Sequence, residues 1–268
     1  MRITYIVHSC FVIEDEEVVM VFDYPDFDAL SCIDFPLQEV DIKPYIDPQK
    51  RVLLFSSHSH PDHFNPKIKE IVKEIRNSRF IFSDDVLSLF PDYTEGIEDK
   101  CHPLKPGDWV DIEGTRITAM SSTDIGISIF IEHKEIHIFF PGDLALWLWD
   151  DLDKDTKREI RETFNGIIQE IKKKRTDILF VVAEPSLRDI GWGGAVDAVK
   201  CVMPGLTIPI HLHQQLSWIY KFKQALPPGV EVFSYRRSGD YLDFKVNQNA
   251  KIKYQNDNSK FKDIYRVT

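Results

Sequence analysis

The chain has 268 residues, 43% of them apolar, a length that suits one large α/β domain or two small ones and a composition that can supply a sizeable core. Its net charge of -10 argues against a broad electrostatic interface with nucleic acid. No apolar run reaches the roughly 18 residues of a membrane span, and acidic Glu14, Asp15, Glu16 and Glu17 break up the opening segment, which lacks the basic start and apolar core of a signal peptide. Cys10, Cys32, Cys101 and Cys201 are far apart and form no C-x-x-C pair, which reads as reduced thiols in a cytoplasmic protein.

Ile3 to Val7, Phe11 to Ile13 and Val18 to Phe22 read as short strands, with an acidic turn before the third. Val52 to Ser57 reads as a fourth, fully buried strand. Asn65 is placed to cap a helix with Pro66 at its first position and Ile68, Ile71, Val72 and Ile75 on one face. Phe80 to Phe82 returns to strand, and three more follow at Arg116 to Met120, Ile127 to Glu132 and Glu135 to Phe140. A long amphipathic helix comes next, with Leu152, Ile160, Phe164, Ile167, Ile168 and Ile171 inward. The basic run Lys172 to Arg175 ends it and complements its dipole. The remainder alternates a strand (Ile178 to Ala183), a helix (Ala195 to Val202), a strand (Thr207 to Leu212), a helix (Gln214 to Ala225) and short strands near Val230 to Phe233 and Tyr241 to Lys245. This order describes two sheet-plus-helix halves packed face to face, with no linker between them.

The chemistry concentrates in His58-Ser59-His60-Pro61-Asp62-His63, four potential metal ligands in six residues directly after an apolar strand. Residues i and i+2 of a strand share a face, so His58 and His60 are expected on one side, and a turn at Pro61 folds Asp62 and His63 towards them. Imidazole and carboxylate donors converging on one point suit zinc, and Mn or Fe is compatible with the same ligands. Three other apolar strands also end in a metal-compatible side chain, at Asp23, Asp143 and His211. His213, two residues beyond His211, is its nearest rival, while His102, His133 and His137 read as ordinary surface or pocket residues. Trp147 and Trp149, just after Asp143, suit either an apolar substrate wall or the core. There is no G-x-S-x-G elbow, no P-loop and no dinucleotide glycine fingerprint.

With these residues in this order the chain resembles the metallo-β-lactamase fold superfamily of metal-dependent hydrolases. Its opening His8-Ser9-Cys10-Phe11 is similar to the branch containing ascorbate-6-phosphate lactonase and N-acylphosphatidylethanolamine phospholipase D. The resemblance implies one α/β domain over 1–268, a four-layer αββα sandwich of two mixed sheets with helices outside. It implies a first metal site with His58 and His60, a second with Asp62, His63 and His211, Asp143 bridging them, and Asp23 buttressing a ligand histidine. Asp62 also carries a catalytic role, orienting or deprotonating water. The family's further histidine of the first site is missing, since Ser121-Ser122-Thr123-Asp124-Ile125-Gly126 stands in its place. Asp124 or His8 is the candidate replacement. The expectation is a hydrolase with one or two zinc ions, acting on a small-molecule ester, lactone or phosphate ester. The alternatives are a metal-dependent nuclease or phosphodiesterase, and a non-catalytic metal-binding or sensing protein with a degenerate first site.

Overall fold

The computed structural model describes residues 1–33 and 37–245, so the expected domain's remaining residues lie outside the described part. The first half of the chain gives β1 (Arg2–Val7), β2 (Cys10–Glu14), β3 (Val18–Phe22), α1 (Phe27–Cys32), β4 (Arg51–Ser56), α2 (Ile68–Glu74), β5 (Ser78–Ser83), α3 (Asp85–Leu89) and β6 (Cys101–Leu104). The second half gives β7 (Trp109–Ile112), β8 (Thr115–Met120), β9 (Ser128–His133), β10 (Ile136–Phe140), α4 (Lys154–Lys172), β11 (Ile178–Val182), α5 (Ala195–Val202), β12 (Leu206–Ile210), α6 (Trp218–Ala225) and β13 (Tyr241–Asp243). They form a seven-stranded sheet, ordered β13-β1-β2-β3-β4-β5-β6, and a six-stranded sheet, ordered β12-β11-β10-β9-β8-β7. Both are mixed: β3 to β6 run parallel in the first, β10 to β12 in the second, and the remaining pairs are antiparallel.

Alternation along the strands sets the layers. Val18, Met20 and Phe22 of β3, with Leu53 and Phe55 of β4, join the core between the sheets. Val19, Val21, Val52 and Leu54 point the other way, into a second core under α2. Because β3 and β4 are covered on both faces, they read in sequence as unbroken apolar runs. Phe22 stacks on Phe55 and Phe140 at ring distances of 4.9 and 4.8 Å, joining the two sheets directly beneath the edge where the histidines collect. On the outer face of the second sheet, α4 buries Phe164, Ile167, Ile168 and Ile171, and Asp153 caps it by accepting from the backbone N–H groups of Asp155 and Thr156. The layers are therefore helix, sheet, sheet and helix.

Several expectations are corrected. Cys101–Leu104 and Trp109–Ile112 are edge strands that the hydropathy pattern hides, because they are half exposed and the first contains Pro103, which only an edge tolerates. The helix expected from Gln214 begins at Trp218, since His213 and Gln214 have φ of 44° and 59°, outside the helical region. Val230 to Phe233 contributes one isolated bridge to Thr207 instead of a strand. Leu152 precedes α4, and Asn65 caps a turn, accepting from Lys67 N–H, before α2 starts at Ile68. The basic run does end α4, with Lys172 in its last turn as expected, while Lys174 lies over the Phe130 ring and Arg175 pairs with Asp177. Among the described residues no helix is long and apolar enough to cross a membrane.

Candidate metal centre

One end of the sandwich collects the chemistry because six strands finish there. The C-terminal edges of parallel strands are the usual place for sites in such sheets. Here β1 leads into His8, β3 into Asp23, β4 into Ser57 and His58, β10 into Asp143, β11 into Glu184 and β12 into His211. Three of these residues leave their strands in the left-handed region, with φ of 51° at His8, 43° at Asp23 and 61° at His211. That conformation costs a non-glycine residue roughly 1 to 3 kcal/mol, and it is tolerated where it turns a side chain to a purpose. His58 and His60 do not share a strand face, since β4 ends at Ser56; they meet through the loop, His58 Nε2 lying 2.9 Å from His60 Nδ1.

The side chains gather in an inner and an outer group, with a third, Glu184, His211 and His213, sharing His211 with the inner one; in each the ligand atoms lie within 4.8 Å of one another. The inner group is His8, Asp62, His63 and His211. Asp62 Oδ2 is 3.3 Å from His8 Nε2, 3.4 Å from His63 Nε2 and 3.7 Å from His211 Nε2. The outer group is His58, His60, Asp124 and Asp143, with Asp124 Oδ2 3.9 Å from His60 Nδ1. Asp143 stands between them: Oδ1 is 3.1 Å from His63 Nε2 and 3.7 Å from His211 Nε2, while Oδ2 is 3.6 Å from His58 Nε2. Two atoms bound to one ion at about 2.1 Å lie about 3.0 to 3.4 Å apart, which the separations of 3.1, 3.3 and 3.4 Å match, while the longer ones exceed a direct hydrogen bond. His63 Nε2 and Asp143 Oδ1 are indeed buried without a hydrogen-bond partner among the described residues. Of the two candidates for the missing histidine's place, Asp124 lies with the outer group and His8 with the inner one.

A layer of carboxylates fixes the rings from behind. Asp23, fully buried, accepts from Ser57 N–H (2.7 Å) and the Ser57 hydroxyl (2.7 Å), and its Oδ2 lies 2.6 Å from His63 Nδ1. Ser57 Oγ is also 2.9 Å from His58 Nδ1, so one aspartate steadies a ring of each group. Glu184 does the same for His211, with Oε2 3.2 Å from its Nδ1 and 2.8 Å from His213 Nε2. Such partners select the tautomer that turns the other ring nitrogen outward. Glu184 belongs to no motif in the sequence, although Val182-Ala183-Glu184 has the same strand-end signature as Asp23 and Asp143. His213 is accounted for by Glu184. Trp147 donates its indole N–H to Asp143 O and packs edge-on at 5.6 Å from His211, with Trp149 stacked beyond it.

Electrostatics favour a cation. Burial would raise the carboxyls of Asp62 and Asp143, but His63 and its neighbours outweigh it and hold both well below the usual range. Burial pushes His8 down to about 4 and His58 to about 3, leaving both rings neutral at pH 7. Burial also opposes charge on His63 and His211, yet Asp143 and the adjacent carboxylates raise both. Ionised carboxylates and neutral imidazoles are the forms that bind metal, and a cation would answer the same carboxylates that raise His63 and His211.

Gly126 lets the Asp124 loop approach the His58 loop. At φ 84° a Cβ there would overlap Ser57 O and His58 Cβ, and Ile127 N–H donates to that same Ser57 carbonyl at 2.9 Å. Thr123 Oγ1 ties the loop to Ala145 through hydrogen bonds of 2.6 and 2.9 Å. Gly126→Ala is therefore expected to cost roughly 2 to 4 kcal/mol in urea unfolding and to displace the outer group first, so that bound metal falls towards one ion per chain.

A sandwich of two mixed sheets between helices, with histidines and carboxylates gathered at one edge of both, defines the metallo-β-lactamase class of metal-dependent hydrolases. The chain belongs to the beta-lactamase superfamily: the family described as "Beta-lactamase superfamily domain" matches residues 2–158. That span holds His8, Asp23, the 58–63 cluster, Asp124 and Asp143. No curated protein matches the chain in sequence. Among solved structures, Igni18, a metallo hydrolase from the archaeon Ignicoccus hospitalis, is similar with a TM-score of 0.63 at 17% identity, over 91% of this chain and 99% of that one. The metallo-beta-lactamase fold protein YhfI from Bacillus subtilis has a TM-score of 0.59 at 14% identity, over 90% and 98%. CmlA, a diiron beta-hydroxylase from Streptomyces venezuelae, has a TM-score of 0.58 at 8% identity, over 91% of this chain and 54% of that one. At such identities the likeness concerns the fold.

Proposed function

We propose that this protein is a cytoplasmic, zinc-dependent hydrolase of small-molecule esters, lactones or phosphate esters, formed by residues 1–268 as one domain. The observation that carries the reading is Asp143, whose two oxygens face the nitrogens of two separate histidine groups, His63 and His211 on one side and His58 on the other. The proposed ligands are His58, His60 and Asp124 for the outer ion, Asp62, His63 and His211 for the inner one, and Asp143 between them. Bound there, a divalent ion supplies a Lewis acid that polarises the substrate oxygen and acidifies a water.

The protein's own part is to place and dry the reacting groups. Asp62, the most exposed member of the inner group with 16% of its side chain accessible, is positioned to take the proton from the attacking water. Asp23 and Glu184 keep His63 and His211 turned inward. Trp147 and Trp149 form an aromatic wall beside His211 against which an apolar part of a substrate can lie. In the ion pairs of the site the carboxylates face histidines only, a balance that suits a cation more than a polyanion such as nucleic acid.

A panel of phosphodiesters, lactones, thioesters and carboxylic esters, assayed with the zinc-loaded protein, tests the reading. At least one class is expected to be hydrolysed, with activity lost to a chelator and restored by zinc. Turnover unaffected by complete metal removal would refute the metal-dependent reading, and selective, salt-sensitive cleavage of RNA or DNA would replace the small molecule with a nucleic acid.

A further inference from the structure

His8 occupies an unusual place for a histidine. With Ser9 it forms the two-residue connection between β1 and β2, where Val7 pairs with Cys10. Residues with positive φ in such a hairpin turn are ordinarily Gly, Asn or Asp, and turns ordinarily lie in solvent. Here the turn residue has φ of 51° and its side chain is wholly buried, with Ser9 buried beside it. Its backbone N–H donates to the hydroxyl of Tyr5 at 3.1 Å, and Tyr5 is itself stacked on Tyr235 at 4.0 Å, so the strained turn is braced from below. The ring is aimed at the inner group. Its Nε2 is 3.3 Å from Asp62 Oδ2, and its centre is 4.5 Å from that of His211 and 5.9 Å from that of His63.

The two groups also differ in access. The inner histidines, His8, His63 and His211, are all buried, whereas in the outer group His60 and Asp124 have side chains 45% and 36% exposed. Structural metal sites are closed by protein ligands, and catalytic ones keep a position open.

We propose that His8 is a direct ligand of the inner ion, so that His8, Asp62, His63, His211 and Asp143 close the inner position and only the outer group keeps room for water and substrate. This rests on the metal-dependent reading above. It assigns the inner ion to holding the site together, with Asp62 at its accessible rim left to take a proton from water at the outer group, and the outer group, with its weaker set of two imidazoles and two carboxylates, to an exchangeable ion. The separation of 3.3 Å between His8 Nε2 and Asp62 Oδ2 fits two donors on one ion, and the strained, buried turn holds the first of them in place.

Cobalt(II) titration of the metal-free protein tests this, with visible absorption reporting coordination number and elemental analysis after dialysis counting bound ions. The wild type is expected to take up two equivalents, the first with the weak bands of a five-coordinate ion. His8→Ala is expected to give the stronger bands of a four-coordinate ion at the first equivalent, bound at least about tenfold more weakly. Asp124→Asn is expected to lose only the second equivalent. A His8→Ala titration superimposable on the wild type would overturn the assignment, as would Asp124→Asn weakening the first equivalent instead of the second. If His8→Ala does not fold, the wild-type spectrum decides, four-coordinate bands at the first equivalent overturning the proposal. A folded wild type that binds no cobalt would refute the underlying metal reading itself, which keeps the two failures apart.

Discussion

Asp143→Asn is expected to lower kcat/KM for any hydrolysed substrate by about 10³-fold and to strip the protein of most of its metal. Among the described residues, this carboxylate alone has oxygens facing both histidine groups, so its loss removes one negative donor from each. The fold is expected to survive, because among the described residues Oδ1 has no hydrogen-bond partner, and Trp147 bonds the main-chain carbonyl of this residue instead of its side chain. Metal counting by elemental analysis, with circular dichroism as the control for folding, separates these effects. A folded variant with full metal content and wild-type turnover would remove Asp143 from the site.

Asp23→Asn makes the opposite kind of damage. Its carboxylate accepts from the Ser57 backbone, accepts from the Ser57 hydroxyl and meets His63 Nδ1, all in a fully buried place. An amide nitrogen cannot accept, so at least one of these contacts turns into a clash of donors. Buried, charge-assisted hydrogen bonds contribute roughly 1.5 to 3 kcal/mol each, and the variant is expected to lose about 2 to 4 kcal/mol of stability in urea unfolding. Because His63 and His58 both depend on this residue for orientation, metal affinity is expected to fall 10- to 100-fold for each ion. Equal affinity in wild type and variant would show that the rings are oriented by something else.

Much of this arrangement is legible in the chain itself. The unbroken apolar runs of β3, β4 and β11 mark strands covered on both faces, and the Phe164, Ile167, Ile168, Ile171 stripe marks α4. Asp23, Asp143 and His211 could be found because a strand ending in a metal-compatible side chain at the edge of a packed sheet is a positioning device. The same rule points to Glu184, which was missed because no motif led to it. What stays hidden depends on tertiary geometry. Strands β6 and β7 are half exposed and carry little hydropathy signal. Asp124 and His8 look alike as candidates in sequence, and only the folded chain shows that they lie with different groups, one through a glycine-tight loop and the other through a buried hairpin turn. The likeness to a hydroxylase as well as to a metallo hydrolase shows why the substrate is not read from the fold: the scaffold supplies the cradle, and the loops around it choose the chemistry.

The most direct test of the central claim is the metal content of the wild type and of His58→Ala, His63→Ala and His211→Ala after equilibrium dialysis against zinc. The account predicts two ions per chain in the wild type, a loss confined to the outer ion in His58→Ala, and a loss of the inner ion in the other two. Full metal content in all three variants, or none in the wild type, would contradict it.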